Sequence, residues 1–487
     1  MKKNILYILL LTAVLYGLLL IPDTSSINIE SEGNSTPFIW DLDERWNELE
    51  EKFSYARQNK ELLNPGIIEA EISTINEVLN ELRSSDFEPN DQRLDILLNQ
   101  FFELAPMVAA NDPTNQTFFE LYNRSRRILK EESVNWDISD RITRDALYKV
   151  LYGMRAAVEE VFLQSDGKTV PVLFVKEEES ATPSTNILGI EVHSGDLLVS
   201  RGGAEVSALI SRGNDYPGNF SHVAFVYVEE GTNIPYLIEA HIERGVDIAD
   251  LEEYVRDRKL RFMVLRPRAD LPEIQKDPML PHKAAKEMYE EANSRHIPYD
   301  FKMNFYDPEA MFCSEVGSYA YNQYQIKLWQ SESTISSNGV VTLLNTFGVE
   351  NFVTQMPSDL EYDPQLSVVA EWRDTESLME DHIYNAVIDA MLECADAGKE
   401  IDYNNFMLPI VRVMKGYSML KNAFGGIGPI PEGMNATQAL KSDAFINRHK
   451  VLKNQLTEEV ENFRKREGYN PPYWELVEMA EGLTGCE

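Results

Sequence analysis

The chain predicts an α+β fold with helical regions on both sides of a central sheet-containing domain. Three changes of texture predict it. Residues 38–165 place apolar side chains at helical spacing among charges. Residues 166–345 switch to short runs rich in Val, Ile, Leu, Phe and Tyr, separated by Gly, Asn and Pro. Residues 346–487 return to helical spacing. At 487 residues, more than one domain is expected.

The elements follow in order. Lys2 and Lys3 precede an apolar run from Ile5 to Ile21 that ends at Pro22. Residues 1–22 therefore read as a signal peptide or an N-terminal membrane anchor. The lysines favour a cytoplasmic N-terminus, and the remainder is exported to a periplasmic or other extracytoplasmic space. Thr24-Ser25-Ser26 is a weak cleavage candidate. A polar linker occupies 23–37. Helices are expected over Trp40–Leu62, Ile67–Leu82, Leu94–Leu104, Phe118–Leu129 and Arg141–Leu163, with short connections that argue for a bundle. Strands are expected over Val170–Val175, Asp196–Ser200, His222–Val228, Tyr236–Ala240 and Arg261–Arg266, and helices over Pro281–Ser294 and Ser314–Tyr324. In the C-terminal part, Met379–Ala397, Asn405–Phe424 and Gln438–Glu467 read as helices. The glycine-rich stretch Gly425–Pro431 between two of them lacks the Lys-Ser/Thr ending of a phosphate loop and reads as a connector.

The formal charge is −35. With no basic stripe, this excludes nucleic acid as a partner, and it sets bulk solubility against a preference for cationic substrates. Three cysteines are present. Export permits a disulfide between Cys394 and Cys486, which leaves Cys313 free.

Cys313 stands at the start of the helix expected from Ser314. Amide hydrogens and the helix dipole at such a site lower a thiol pKa and can hold an oxyanion. His222 heads one apolar strand, and Glu239 lies near the end of the next, joined by a turn containing Gly231-Thr232-Asn233. In a hairpin the start of the first strand lies near the end of the second, so His222 and Glu239 should meet. A carboxylate among apolar neighbours needs such a partner. His241 is close enough in sequence to replace Glu239 or to ligate a metal. No His-x-x-x-His or comparable ligand spacing occurs, so no metal and no cofactor are expected. There is no Gly-x-Ser-x-Gly elbow for a serine hydrolase.

Five elements in order resemble the YiiX/YebB-like permuted members of the NlpC-type papain-like hydrolases. They are Ser194-Gly195-Asp196-Leu197-Leu198, Ser221-His222-Val223, Ile238-Glu239-Ala240 with Gly245-Val246, Pro298-Tyr299-Asp300-Phe301, and Phe312-Cys313-Ser314-Glu315. The resemblance covers roughly a third of the chain. It implies a permuted papain-like domain with a small antiparallel sheet or barrel and packed helices. Cys313 then matches the nucleophile, His222 the base and Glu239 the orienting carboxylate. Phe312 stands where the family commonly has Tyr, so Tyr299 or a backbone amide would support the oxyanion. Ser314, Tyr299, Asp196 and Arg201 are the expected substrate-binding or oxyanion-supporting residues. Arg201, Arg212 and Arg244 read either as holders of a substrate carboxylate or as ordinary surface arginines.

The implied activity is cysteine-dependent hydrolysis of an amide bond in a peptide or other acyl-containing small substrate, with cell-wall peptides such as those of peptidoglycan as the class suggested by exported relatives. A lipid-directed acyltransferase or thioesterase on the same scaffold is the alternative. A non-enzymatic binding module is a third reading and predicts an unreactive Cys313.

Overall fold

The computed structural model describes residues 2–23, 35–59, 65–110, 115–164, 171–329 and 333–486. Residues 60–62 and residue 170, the ends of two expected elements, and Thr24-Ser25-Ser26 lie outside the described residues.

The N-terminal part is helical: α1 (Lys2–Leu19), α2 (Asp43–Gln58), α3 (Pro65–Ser84), α4 (Gln92–Ala110), α5 (Asn115–Glu132) and α6 (Arg141–Gln164). Helices α3 to α6 bury their apolar stripes in one continuous core, with Phe101, Phe118, Leu151 and Val158 fully enclosed. Among the described residues, no helix is long and apolar enough to cross a membrane.

The middle of the chain supplies β1 (Val172–Phe174), β2 (Ser184–Ile187), β3 (Ile190–His193), β4 (Leu197–Gly202), α7 (Glu205–Arg212), β5 (His222–Val228), β6 (Pro235–His241), β7 (Gly245–Asp250), α8 (Leu251–Arg256) and β8 (Lys259–Pro267). Then come α9 (Pro272–Lys276), α10 (Leu280–Ser294), α11 (Glu315–Asn322), β9 (Ser333–Thr334), α12 (Asn338–Asn345), β10 (Val353–Thr354) and β11 (Leu366–Arg373). The C-terminal helices are α13 (Thr375–Asp396), α14 (Leu408–Ala423), α15 (Ala436–Glu467) and α16 (Tyr473–Thr484). Cys394 and Cys486 are joined by a disulfide that ties the end of α13 to the chain beyond α16.

A seven-stranded sheet of order β1-β11-β8-β4-β5-β6-β7 organises the middle, with neighbouring strands antiparallel. Both faces are covered, which explains why β5 and β8 read as nearly continuous apolar runs. On one face Val223, Phe225 and Tyr227 of β5 pack with Met288 of α10 and Val316 of α11. On the other, Ala224, Val226 and Leu237 pack with Tyr254 of α8 and with Ile187 and Val192 of the β2–β3 hairpin. Strand β11 lies beyond residue 345, so the sheet runs past the point where the sequence reading begins the C-terminal helical region.

Buried ion pairs attach the helical regions to the sheet. Arg261 of β8 pairs with Glu159 of α6 and with Asp381 of α13, the latter at 2.6 Å. Arg201 of β4 reaches the same Asp381 at 3.0 Å, and Arg126 of α5 bonds Glu371 of β11 at 2.9 Å. Arg155 of α6 pairs with Glu361, and Arg144 with Asp359. All of these side chains are buried. Arg201 and Arg212 are therefore not surface arginines. Arg212 bonds Asp389 of α13 through both ends of its guanidinium, at 2.8 and 2.7 Å.

Removing one partner of such a network leaves its opposite charges unpaired in the interior. Arg261→Ala, which strands Glu159 and Asp381, is expected to lower unfolding stability by about 3–5 kcal/mol in urea denaturation. A loss of under about 1 kcal/mol, the range of a surface pair, would contradict this account.

Candidate active site

The site is built on the β5–β6 hairpin. Its register sets Ala224 opposite Glu239 and Val228 opposite Pro235. Side chains alternate along a strand, so His222, Glu239 and His241 share the face that carries Ala224 and Leu237. His222 Nε2 lies 2.6 Å from Glu239 Oε2, and His241 Nε2 lies 3.7 Å from Glu239 Oε1. The two imidazole rings are 5.4 Å apart. A carboxylate can only accept, so His222 carries its proton on Nε2, and Nδ1 is left as the basic nitrogen.

Burial decides the charges here. Glu239 is almost fully enclosed, and burial opposes its ionisation. The hydrogen bond from His222 and the nearby His241 ring, aided by the charge of Lys259, nonetheless hold its carboxyl well below the usual carboxylate range. Burial pulls the His222 imidazole below its ordinary value, and Glu239 offsets only part of that pull. For His241, burial also acts downward, but the Glu239 carboxylate 3.7 Å away wins and the ring is raised. At neutral pH the arrangement is an anionic carboxylate beside a neutral His222.

Cys313 is 4% exposed and packs with Val223, Phe225 and Ile238, on the sheet face opposite to the His222–Glu239 pair. The thiol approaches β5 at its end, beside the backbone of His222, where Sγ donates to the Ser221 carbonyl at 3.7 Å. No hydrogen bond joins Sγ to either imidazole. Burial pushes the thiol up to about 12, against the backbone amides of Val223, Ser314 and Cys313 itself, which favour the thiolate. The sequence reading expects the helix start to lower this thiol; enclosure outweighs the helix. The same amides form a cluster of donors able to receive an oxyanion.

The other expected residues divide. Tyr299 lies near the thiol: burial first, and then the Cys313 sulfur, raises its phenol well above the ordinary range. Gly245 makes that placement possible. It has φ of +76°, and a Cβ there would fall 2.1 Å from the Ile297 carbonyl oxygen, which accepts from Val246 N at 2.9 Å. That contact docks the Ile297–Tyr299 segment on the edge of the sheet. Ser314 contributes its amide only, because its hydroxyl is turned to the Gln355 carbonyl at 2.9 Å.

Asp196 and Arg201 are elsewhere. Asp196 takes a two-point bond from Arg266, at 2.9 and 2.8 Å. It precedes β4 at the end away from Ser200, the partner of His222, about 13 Å along the strand. Arg201 is committed to Asp381 and fully enclosed. Neither reaches the thiol as a substrate contact. Arg244 sits between Asp247 and Glu253 at 2.9 and 3.1 Å.

Sequence reasoning assigned no role to the Val223 amide or to Glu315. A backbone donor leaves no side-chain signal. Glu315 was visible in the Cys-Ser-Glu motif, and its Oε2 accepts from Phe312 N at 2.7 Å, fixing the turn that presents the thiol. His222, Glu239 and His241 also offer ligand atoms within 4.8 Å of one another, a set able to hold a metal ion that spacing rules did not reveal.

Residues 191–370 match the sequence profile of the family described as permuted papain-like amidase enzyme, YaeF/YiiX, C92 family. This region is a domain of that family, which implies an amide hydrolase. Among solved structures, the chain is similar to one titled metalloprotein yiiX from Escherichia coli O157:H7. That match has 18% identity and a TM-score of 0.29, and it covers 37% of this chain and 97% of that one. No protein with a curated description matches the chain.

Burial raises the Glu315 carboxyl to about 9, with the Phe312 amide opposing and Asp300 and Asp307 adding to the rise. Its value in the fold is above the ordinary 4.5, so its stabilising effect is complete below that pH and is lost as the pH rises toward 9. Glu315→Gln keeps an acceptor for Phe312 and removes the ionisation. It is expected to raise Tm at about pH 8 and to leave it unchanged at about pH 4. An equal shift at both pH values would contradict the raised carboxyl.

Proposed function

We propose that the chain is an exported cysteine hydrolase that cleaves an amide bond, with Cys313 as nucleophile, His222 as general base and Glu239 as the residue that fixes and supports the imidazole. The observation that carries this reading is the 2.6 Å bond from His222 to a buried Glu239, with the Cys313 thiol held at the carbonyl that precedes His222.

In this reading the thiol and imidazole rest neutral. The thiol and the imidazole share no hydrogen bond at rest, so this reading requires that substrate entry bring Nδ1 of His222 and the thiol together around the end of β5, where Nδ1 takes the thiol proton as sulfur attacks the carbonyl carbon. The amides of Val223, Ser314 and Cys313 receive the oxyanion, assisted by the Tyr299 phenol in place of the residue that Phe312 replaces. The imidazolium, supported by Glu239, then protonates the leaving amine, and water releases the acyl group. Peptide amides, including those of cell-wall peptides, are the proposed substrates, reached by export directed by residues 5–21.

A second reading rests on His222, Glu239 and His241 as a metal-binding set. It makes activity depend on a bound metal rather than on the thiol.

The test is hydrolysis of N-acyl peptide amides by the full chain. Cys313→Ser is expected to abolish turnover, and His222→Ala and Glu239→Gln to lower kcat/KM by roughly 10²–10⁴-fold. Chelators are expected to have no effect; loss of activity with a chelator and survival in Cys313→Ser would favour the metal reading. Because His222 must be neutral and its value lies below the ordinary 6.5, kcat/KM is expected to reach its plateau by about pH 7 and to fall in acid. A profile that stays flat well into acid would indicate a resting thiolate–imidazolium pair instead.

A further inference from the structure

Helix α14 departs from the pattern of the rest of the chain. Between Tyr403 and Pro431 there is no Asp or Glu, in a chain with 80 acidic residues. One side of α14 is packed: Leu408 and Val411 join Ile430 and Ala436 in a small core. The other side is apolar and open. Ile410, Val413, Met414, Tyr417 and Leu420 recur at helical spacing along it, with Phe424 beyond its end, and Val413 is 72% and Phe424 85% exposed. A soluble surface helix turns charges outward; this one turns its larger apolar face outward.

The surface does not end at α14. Helix α1 lies beside it, also with exposed apolar side chains, among them Leu10, Leu11 and Leu18. Tyr16 donates to the Phe406 carbonyl at 2.9 Å, and Arg412 donates to the carbonyls of Leu19 and Ile21 at 2.8 and 2.7 Å. These bonds hold the C-terminal end of α1 against α14, so two helices with exposed apolar side chains lie side by side. Two of the three cations of α14 are turned to the protein: Arg412 serves the end of α1, and Lys415 bonds the carbonyls of Pro431 and Glu432 at 2.8 and 2.7 Å, while Lys421 in the last turn is exposed.

We infer that α14 is a membrane-docking helix that lies in the surface of a lipid bilayer, its apolar face among the acyl chains, beside the N-terminal apolar segment. The absence of carboxylates along 403–431 allows the approach that the rest of this acidic chain would oppose. With Arg412 and Lys415 engaged, Lys421 at the end of α14 is the one exposed cation against a row of apolar side chains, so the contact is mainly apolar rather than a recognition of anionic headgroups. This goes beyond attachment through residues 5–21: it gives the protein a second membrane contact, more than 380 residues along the chain, that fixes its orientation at the surface.

The test uses the full chain with an environment-sensitive nitrobenzoxadiazole label at Val413→Cys, compared with the same label at Lys465→Cys on α15. Phosphatidylcholine vesicles are expected to blue-shift and brighten the Val413 label, with quenching by doxyl-labelled lipid, and to leave the Lys465 label unchanged. The response should persist in high salt. If the chain sediments with vesicles while the Val413 label stays in water, attachment is through residues 5–21 alone and the proposal is overturned. A shift that follows protein concentration without lipid would assign the face to a second copy of the chain and would also overturn it. Failure to bind vesicles at all does the same.

Discussion

The register of the β5–β6 hairpin is the constraint on which the site depends. Pairing Ala224 with Glu239 puts His222, Glu239 and His241 on one face of the sheet and leaves no freedom to separate them. A slip by one residue would send Glu239 to the opposite face, into the core that holds Val223 and Ile238. The carboxylate is enclosed, so it remains charged because imidazole nitrogens stand against it, with the charge of Lys259 assisting. Placement and ionisation state are thus two consequences of one strand pairing.

The thiol is governed differently. Cys313 is held by the core on the other face and by the turn that Glu315 fixes at Phe312. It comes to the end of β5, not to its surface. Deep enclosure makes the thiol a poor anion at rest, which favours proton transfer during attack over a standing ion pair. The rigid frame around it is held from outside the domain. Arg261 and Arg201 of the sheet share Asp381 of α13, and Glu159 of α6 completes the cluster. The helical regions are in this sense part of the scaffold that sets strand positions, since two of the central strands carry their buried charges to them.

Much of the fold was legible because its signals are local. The apolar runs of β5, β6 and β8 and the periodicity of α6, α13 and α15 each lie within one stretch of sequence. Strand β11 was not legible. Its partner β8 is about a hundred residues earlier, and its charged residues Glu371 and Arg373 are buried, bonded to each other, with Glu371 also taking a bond from Arg126. Strand β7, Gly-Val-Asp-Ile-Ala-Asp, looks polar because it is an edge strand. At the site, the meeting of His222 and Glu239 followed from hairpin geometry. The raised Cys313 thiol did not follow from its position before a helix, because burial is a property of the assembled fold. Asp196 and Arg201 lie beside motif residues in sequence, yet their charges are neutralised by Arg266 and Asp381, partners that only tertiary structure reveals.

The most direct test of the account is intact-protein mass spectrometry during single turnover of an activated N-acyl amide. The account predicts one covalent adduct, with the mass of the acyl group, on the peptide that contains Cys313, forming faster than it decays. It also predicts that Glu239→Gln slows formation of the adduct without moving it. Turnover without any adduct, or unchanged turnover after Cys313 has been blocked by alkylation, would contradict it.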